Sequence, residues 1–284
     1  MFVLIGFAVV AGAVLVGFLV AGGNPLLLIQ ISEFIVIGGA ALGSVLISTP
    51  LPLLKKIIKE IPKTFKSDNF TRQEYLDLLK SFYELFQLAQ KDGILAIEKH
   101  IENPDASEIL SRNSKFVKNE FLKSFFSDTL KVMLSGGISP HELESLIDVE
   151  IESFEIESKP VSGSVARVGD ALPGLGIVAA VLGIIVTMSS ISQGAETVGE
   201  HVAAALVGTF LGVLTAYGFV NPLATNMEHD LENKLRLLET IKTCIVAFAK
   251  GNPPIMAVEM ARRTIFADER PSFTELETYV RKKG

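Results

Sequence analysis

The chain has 284 residues, of which 49% are apolar and 20% are charged, and its formal net charge is −6. A mean hydropathy of +0.41 is high for a water-soluble protein and excludes both an ordinary soluble domain and a disordered chain. The negative charge and the lack of a long basic stripe argue against nucleic acid as a partner.

Charged residues are distributed unevenly along the chain. Residues 1–54 contain one acid, Glu33, and no lysine or arginine, and residues 171–222 contain only the acids Glu196 and Glu200. A hydrocarbon core of about 30 Å requires about 20 helical residues. We therefore predict an all-α membrane protein with four transmembrane helices, in the uncharged runs at residues 2–22, 34–54, 171–192 and 202–222. The second helix is predicted to end at about Thr49, before Pro50 and Pro52.

Basic residues in the flanks predict the orientation of these helices. Five lysines follow the second helix within residues 55–66, whereas the loops at residues 23–32 and 191–200 carry no basic residue. Because basic loops remain in the cytoplasm, both termini and the long middle segment are predicted to be cytoplasmic. The predicted domains are residues 1–54 (transmembrane helices 1 and 2), 55–169 (a helical cytoplasmic domain), 170–222 (transmembrane helices 3 and 4) and 223–284 (a helical cytoplasmic tail).

The polar segments show helical signals. The lysine-rich stretch after residue 54 has apolar residues at helical spacing, which is typical of a basic amphipathic helix on an anionic membrane surface. Capping boxes open helices after Thr71, Ser139 and Ser272. The helix after Ser139 carries seven acids, which form either a solvated face or a docking strip for a basic partner.

The last two transmembrane helices carry small residues and few polar groups. Ala204, Gly208, Gly212 and Ala216 recur every four residues, a pattern that permits close helix packing within the chain or against a partner. The hydroxyl of Thr209 lies beside this stripe and either bonds its own backbone or is free for function. The prolines near the cytoplasmic ends either end the helices or form movable kinks, at Pro173 and Pro222.

Neither helix carries an ionisable side chain at mid-membrane depth. Proton conduction normally uses an intramembrane carboxylate or imidazole, so an ion-conducting role would require that group from another chain. The chain also lacks recognisable catalytic motifs, and its single cysteine excludes an internal disulfide framework. We therefore predict that it is not an enzyme and has no cofactor and no metal site.

Seven stretches resemble the MotA family of flagellar stator subunits, within the MotA/TolQ/ExbB proton channel superfamily. The resemblance covers nearly the whole length of the chain and includes the number and orientation of the transmembrane helices. The stretches are IVIGGAALG at 35–43, IENP at 101–104, ELESLIDVEIESFE at 142–155, VGDALPGLGIVAAVLG at 168–183, LVGTFLGVLTAYGFVNPLA at 206–224, PPIMAVEMARRT at 253–264 and ERPSFTELE at 269–277.

The resemblance implies an assembly in the bacterial inner membrane. Copies of the chain would form a pentameric ring around two copies of a single-span MotB-type partner, which supplies the channel carboxylate and the peptidoglycan anchor. Ion flow would step the ring around the partner, and the cytoplasmic domain would push on FliG of the rotor.

Site residues follow from the same resemblance. Pro173 and Pro222 match prolines that couple ion flow to torque, and Thr209 matches a pore-side hydroxyl. Asp170 and Tyr217 match positions whose roles in the family are less defined. The rotor-facing residues would be Glu98 and Glu150 together with Lys91, because Gln90 occupies the position where better-known members have arginine.

The same comparison favours protons as the ion. Sodium-type relatives carry threonine seven residues after the proline, where this chain has Ala180, so an oxygen ligand that Na⁺ would use is missing. Three alternatives remain open: an ExbB/TolQ-type energy-transducing subunit, a stand-alone transporter or channel, and a structural membrane scaffold.

Overall fold

The computed structural model describes residues 2–66, 69–189, 192 and 194–281, and within these residues there is no β-strand. Contacts divide the chain into two compact units. Met1–Asp68 and Ser158–Asp230 form the first, which we name the membrane unit, and Asn69–Glu157 and Leu231–Gly284 form the second, which we name the polar unit. The domain boundaries predicted from the sequence were drawn at the expected membrane crossings, whereas these two units are defined by contacts. Those boundaries therefore stay predictions.

The described residues form twelve α-helices, joined by turns and short 3-10 segments. In chain order they are α1 (Phe2–Val20), α2 (Ile31–Ser48), α3 (Leu51–Thr64), α4 (Arg72–Asp92), α5 (Glu98–Glu102), α6 (Ser114–Lys118), α7 (Glu120–Leu134), α8 (Pro140–Ser189), α9 (Ala195–Thr215), α10 (Asn221–Ala249), α11 (Pro254–Thr264) and α12 (Phe273–Arg281). A π-helical segment, Ala216–Val220, joins α9 to α10.

Four helical stretches among the described residues are long and apolar enough to cross a bilayer: Phe2–Val20, Pro25–Ser48, Pro140–Ser189 and Ala195–Ala249. The prediction of an all-α membrane protein with four such helices is thus confirmed. The third and fourth are parts of much longer helices, of 50 and 55 residues. The helix that opens after Ser139 and the third transmembrane helix are therefore one element, which the sequence analysis treated as two.

In the membrane unit, α2 packs against α8 and α9. Ile37 and Ala41 of α2 are buried against Leu172 and Ala179 of α8 and Ala216 of the π segment. On α1, the ring of Phe7 meets that of Phe219 edge-on at 5.0 Å. None of the residues of α1 is buried, so most of its surface is uncovered within the chain.

Helix α3 has the predicted amphipathic character. Ile57 is buried in a cluster with Val161, Val165, Ala224 and Met227 of the same unit. The lysines at positions 55, 56, 59, 63 and 66 are all exposed. The placement of this helix on a membrane surface stays a prediction.

The core of the polar unit is rich in phenylalanine. The ring of Phe82 stacks on Phe126 at 4.9 Å, and the ring of Phe86 stacks on Phe248 at 4.2 Å. Helix α4 supplies both Phe82 and Phe86 and packs against α11 and α12. These contacts bury the middle of α4 and leave its C-terminal end at the surface.

The helix starts predicted in the polar unit are confirmed. The backbone amide of Ser139 donates to Glu142 Oε2 at 2.9 Å, and the amide of Ser272 donates to Glu275 Oε2 at 2.6 Å. Thr71 forms the same reciprocal capping box at the start of α4. These boxes supply hydrogen-bond partners for amides that a helix cannot satisfy at its first turn.

Candidate functional site

Helices α8 and α9 pack backbone against backbone. A Cβ atom on Gly176 would lie 2.8 Å from the carbonyl oxygen of Gly208, and one on Gly212 would lie 2.6 Å from the carbonyl oxygen of Leu172. A Cβ on Gly183 would lie 2.8 Å from the Cβ of Ala205. Much of the small-residue stripe is therefore used for packing inside this chain, with Ala205 rather than Ala204 buried at the contact.

Glu33 lies in the first turn of α2 and is a buried acid of the membrane unit. It is only 5% exposed, and its carboxylate lies against the place that a Cβ on Gly208 would occupy. Gly208 lies six residues inside the predicted start of the fourth transmembrane helix, a depth of about 9 Å. Within the described residues, Glu33 Oε2 is buried without a hydrogen-bond partner. The signal in the sequence was a lone acid opposite a glycine stripe.

Neither proline ends its helix. Pro173 lies inside α8, and Pro222 is the second residue of α10, directly after the π segment. Proline cannot donate a backbone hydrogen bond, and its ring clashes with the carbonyl four residues earlier. The helix-ending role is therefore excluded for Pro173, which lies inside α8, and for Pro222, which lies inside α10, whereas the movable kink stays a prediction.

The other membrane-unit candidates lie on α8, on α9 and in the π segment. Asp170 lies on α8 and accepts a hydrogen bond of 3.1 Å from Nδ2 of Asn221. Tyr217 belongs to the π segment and is 63% exposed. Ala180 and Thr209 are half-buried, and the backbone of Thr209 lies at the close contact with Gly176.

Three of the four candidate rotor-facing residues lie close together in the chain. Gln90 and Lys91 are exposed in the last turn of α4, and Glu98 is exposed at the first position of α5. Between them Gly93 adopts a φ of 90°, which reverses the chain and which side chains with a Cβ rarely adopt. The turn presents a cation and an anion on one surface segment.

Glu150, the fourth candidate, lies apart from this segment on α8. It is half-buried, and burial together with the neighbouring carboxylate of Asp128 raises the pKa of Glu150 above its usual range. Other acids of the same helix form ion pairs inside the polar unit. Asp148 pairs with Lys242 at 2.5 Å, and Glu144 pairs with Lys250 at 2.7 Å. The acidic face is thus partly used for internal pairing, a role that the sequence analysis did not consider.

No group of three or more His, Cys, Asp or Glu residues that could hold a metal ion occurs in the described part of the chain. The arrangement in the membrane unit is a tight helix pair with one buried acid and two proline-weakened turns. Such an arrangement can carry a titrating carboxyl group.

Comparison with known proteins identifies the family. The profile "Motility protein A N-terminal" matches residues 4–93, and the profile "MotA/TolQ/ExbB proton channel family" matches residues 115–241. Motility protein A of Salmonella typhimurium is 37% identical over 281 residues, which cover 99% of this chain and 95% of that protein. The chain belongs to the motility protein A (MotA) family. The resemblance drawn from the sequence is thereby confirmed.

Further relatives agree with this family. Chemotaxis protein LafT of Vibrio parahaemolyticus is 36% identical over 264 residues, or 93% of each chain. As a MotA-family stator protein, the chain stands among motor and channel proteins rather than enzymes.

Solved structures titled as MotAB show the same fold. The "Structure of C. jejuni MotAB" matches with a TM-score of 0.80 at 23% identity, over 95% of this chain and 98% of that one. The flagellar MotAB stator complex from Bacillus subtilis matches with a TM-score of 0.78 at 24% identity over the same shares. The MotA fold of this chain is therefore shown along nearly its whole length.

Proposed function

We propose that the chain is the larger subunit of a proton-driven flagellar stator, in which ion flow through the complex with a MotB-type partner produces torque on FliG. The observation that carries this proposal is the full-length relationship to motility protein A, at 37% identity over 99% of the chain. The complex would lie in the bacterial inner membrane, with a pentameric ring of this chain around two partner subunits and both termini in the cytoplasm.

The distribution of ionisable groups supports a requirement for the partner. Residues 171–192 and 202–222 contain no Asp, Glu, Lys, Arg or His. Glu33 of the membrane unit lies in the first turn of α2 and packs against Gly208 of α9, outside these two stretches. The central titrating carboxylate would therefore come from the MotB-type subunit. The anchor to peptidoglycan would come from the same subunit, because the predicted outer loops of this chain are only about ten residues long.

The choice of protons rests on Ala180. The methyl side chain at this position offers no oxygen, whereas a sodium site requires several oxygen ligands. Pro173, Pro222 and Thr209 would couple passage of the ion to movement of the helices, with Asp170 and Tyr217 beside them.

The rotor contact would use the surface turn between α4 and α5. Lys91 would take the part that arginine has in better-known relatives, and Glu98 and Glu150 would supply negative charges. Charge reversal at Lys91 should reduce rotation, because rim charges act mainly through complementarity. An opposite charge reversal on FliG should restore rotation. Gln90→Ala tests the residue at the position of the family's arginine, and a smaller loss of rotation than for charge reversal at Lys91 would support Lys91 as the residue in contact with the rotor.

The deciding experiment expresses the chain with its own partner in a flagellated cell that lacks stators, and records the rotation of tethered cells. We expect rotation that is independent of sodium and stops when a protonophore collapses the proton gradient. Rotation that follows sodium would overturn the assignment of the ion.

Two controls separate the alternative functions. Pro173→Ala should assemble without turning the rotor, whereas a purely structural scaffold predicts no effect of this change. Failure to turn even the native rotor, with the complex assembled, would overturn the stator proposal and favour the ExbB/TolQ-type subunit. Ion flux through the purified chain alone would favour a stand-alone channel.

A further inference from the structure

Besides the apolar contacts of Val161 and Val165 with Ala224 and Met227, helix α8 and the start of α10 share a polar contact made by Asn221. A Cβ on Gly169 would lie 1.6 Å from Oδ1 and 2.6 Å from Cγ of Asn221, so the carboxamide occupies the space that this glycine leaves. The Nδ2 group of Asn221 donates to Asp170 Oδ1 at 3.1 Å. Within the described residues Oδ1 of Asn221 is buried without a partner. A polar side chain with one unsatisfied atom is expensive to bury, so the contact calls for a functional explanation.

Asn221 lies at one turn that contains a proline and contacts another. Pro173 has no amide hydrogen, so the carbonyl of Gly169, four residues earlier, has no α-helical donor. Pro222 likewise has no amide hydrogen, so the carbonyl of Gly218, inside the π segment, has no α-helical donor four residues later. Asn221 therefore immediately precedes one proline and contacts the turn that the other proline weakens.

The π segment is what brings Asn221 to this position. Gly208 and Gly212 of α9 and Ala216 of the π segment are buried at intervals of four residues. With 3.6 residues per turn, a regular α-helix would place position 219 or 220 next on that face. Hydrogen bonds in the π segment span five residues, which shifts the face along the chain, so that Asn221, with Val220 beside it, reaches Gly169.

We propose that Asn221 is a positioning residue of the torque step, which ties the turn weakened by Pro173 to the turn weakened by Pro222 through Asp170. The inference rests on the stator function proposed above. With the carboxamide in place, bending at one turn is passed to the other helix rather than absorbed locally. Without it, the polar connection between the two turns is lost while the apolar contacts of α8 with α10 remain, and less of each ion's work reaches the ring.

Two substitutions of Asn221 separate this role from simple filling of space. Asn221→Asp keeps the shape but removes the donor and places a carboxylate against Asp170, whereas Asn221→Ala removes the side chain. A positioning role through the hydrogen bond predicts that Asn221→Asp is the more damaging change. A packing role predicts the reverse order, because aspartate preserves volume and alanine leaves a cavity.

The readout is torque per stator unit in cells that carry the complex with its partner. Under high load, bead speed rises in steps as units join a motor, so step number reports assembly and step height reports torque per unit. For Asn221→Asp we expect the step height to fall by about twofold or more with the step number retained, and for Asn221→Ala a smaller loss. Step heights equal to those of the unsubstituted chain, or a larger loss for Asn221→Ala, would overturn the proposal.

A second pair of variants removes the dependence on a charged substitution. Gly169→Ala should displace the carboxamide and lower the step height, whereas Gly163→Ala on the same helix meets no atom within 4 Å and should not. If Asn221→Asp fails to assemble, equal step heights for this glycine pair would overturn the inference. If the unsubstituted chain itself gives no steps on its native rotor, the proposed function fails instead, so the two failures are distinguishable.

Discussion

Glu259 is the buried centre of a network of ion pairs in the polar unit. It is 5% exposed, and it accepts hydrogen bonds from Arg262 Nε at 2.7 Å and from Arg263 Nε at 2.8 Å. Arg262 also donates to the carbonyl of Pro271 at 2.8 Å, just before α12. Hydrogen bonding by Arg262, opposed by burial and reinforced by Arg263, holds the pKa of Glu259 below its usual range.

Replacing this carboxylate should destabilise the polar unit. Glu259→Gln leaves the largely buried Arg262 without its counter-charge, and we expect a loss of about 3 kcal/mol in the free energy of unfolding. The measurement is the thermal unfolding midpoint of the purified complex in detergent. The matched control is Glu277→Gln, which removes an exposed ion pair with Arg281 and should cost less than about 1 kcal/mol.

The same variant has a predicted pH dependence. Because the pKa of Glu259 is lower in the folded state, its stabilisation is present above the unfolded value near 4.5 and is lost as the pH falls through the folded value. The difference between Glu259→Gln and the unsubstituted chain should therefore be largest at neutral pH and should narrow below pH 4.5. A difference that grows on acidification would contradict this assignment.

At the scale of elements, the contact between α8 and α9 depends on glycines that face backbone atoms. In Gly212→Ala the new methyl group would meet the Leu172 carbonyl oxygen at 2.6 Å and the Gly176 Cα at 2.9 Å, and neither backbone atom can move cheaply. We expect a cost of about 1–3 kcal/mol, seen as a lower yield of assembled complex and a lower thermal midpoint.

A control on the same helix isolates that contact. A Cβ on Gly199 would meet nothing within 4 Å, so Gly199→Ala in α9 should be neutral or slightly stabilising. Equal effects of Gly212→Ala and Gly199→Ala would show that close approach of the helices does not limit stability.

The elements that the sequence predicted are those with local signals. The apolar runs predicted four transmembrane helices, and the residues Thr71, Ser139 and Ser272 predicted three helix starts through hydrogen bonds that close within four residues. The continuity of α8 was missed because the run of acids and the run of apolar residues have different compositions but the same helical geometry. Pro173 marked a weak point without revealing that the helix continues through it.

The site was predictable only in part, because its contacts join residues that are distant in the sequence. The small-residue stripe indicated close packing, but its partners on α8 are non-local, and spacing alone favoured Ala204 over Ala205. Glu33 looked peripheral because it lies in the first turn of α2, and only the tertiary contact with Gly208 places its carboxylate inside the membrane unit. The role of Asn221 depends on a π segment, whose five-residue spacing breaks the periodicity used to assign helix faces.

At the scale of the whole molecule, the two units should respond differently to denaturant. Cys244, the single cysteine, is fully buried in the polar unit, and burial raises the pKa of its thiol. The thiol should therefore be unreactive until the polar unit opens. Urea weakens burial in a water-exposed unit, whereas helices surrounded by detergent keep their internal backbone hydrogen bonds.

We expect two transitions that do not coincide. Maleimide labelling of Cys244 in the purified complex should rise at urea concentrations where far-ultraviolet circular dichroism still reports a large helical fraction. Cys244→Ser measures the labelling background. Coincidence of the two transitions would mean that the units unfold as one cooperative body, contrary to this expectation.

The lysines of α3 have a consequence for the order of events during synthesis. Chains emerge from the ribosome N-terminus first, at about 5–20 residues per second, so α1, α2 and the lysine run are complete within roughly 3–13 s. Positive charge next to a transmembrane helix is retained in the cytoplasm during insertion. We therefore expect α1 and α2 to be oriented before the apolar part of α8 leaves the ribosome, so that α8 enters a membrane that already holds α2, against which it packs.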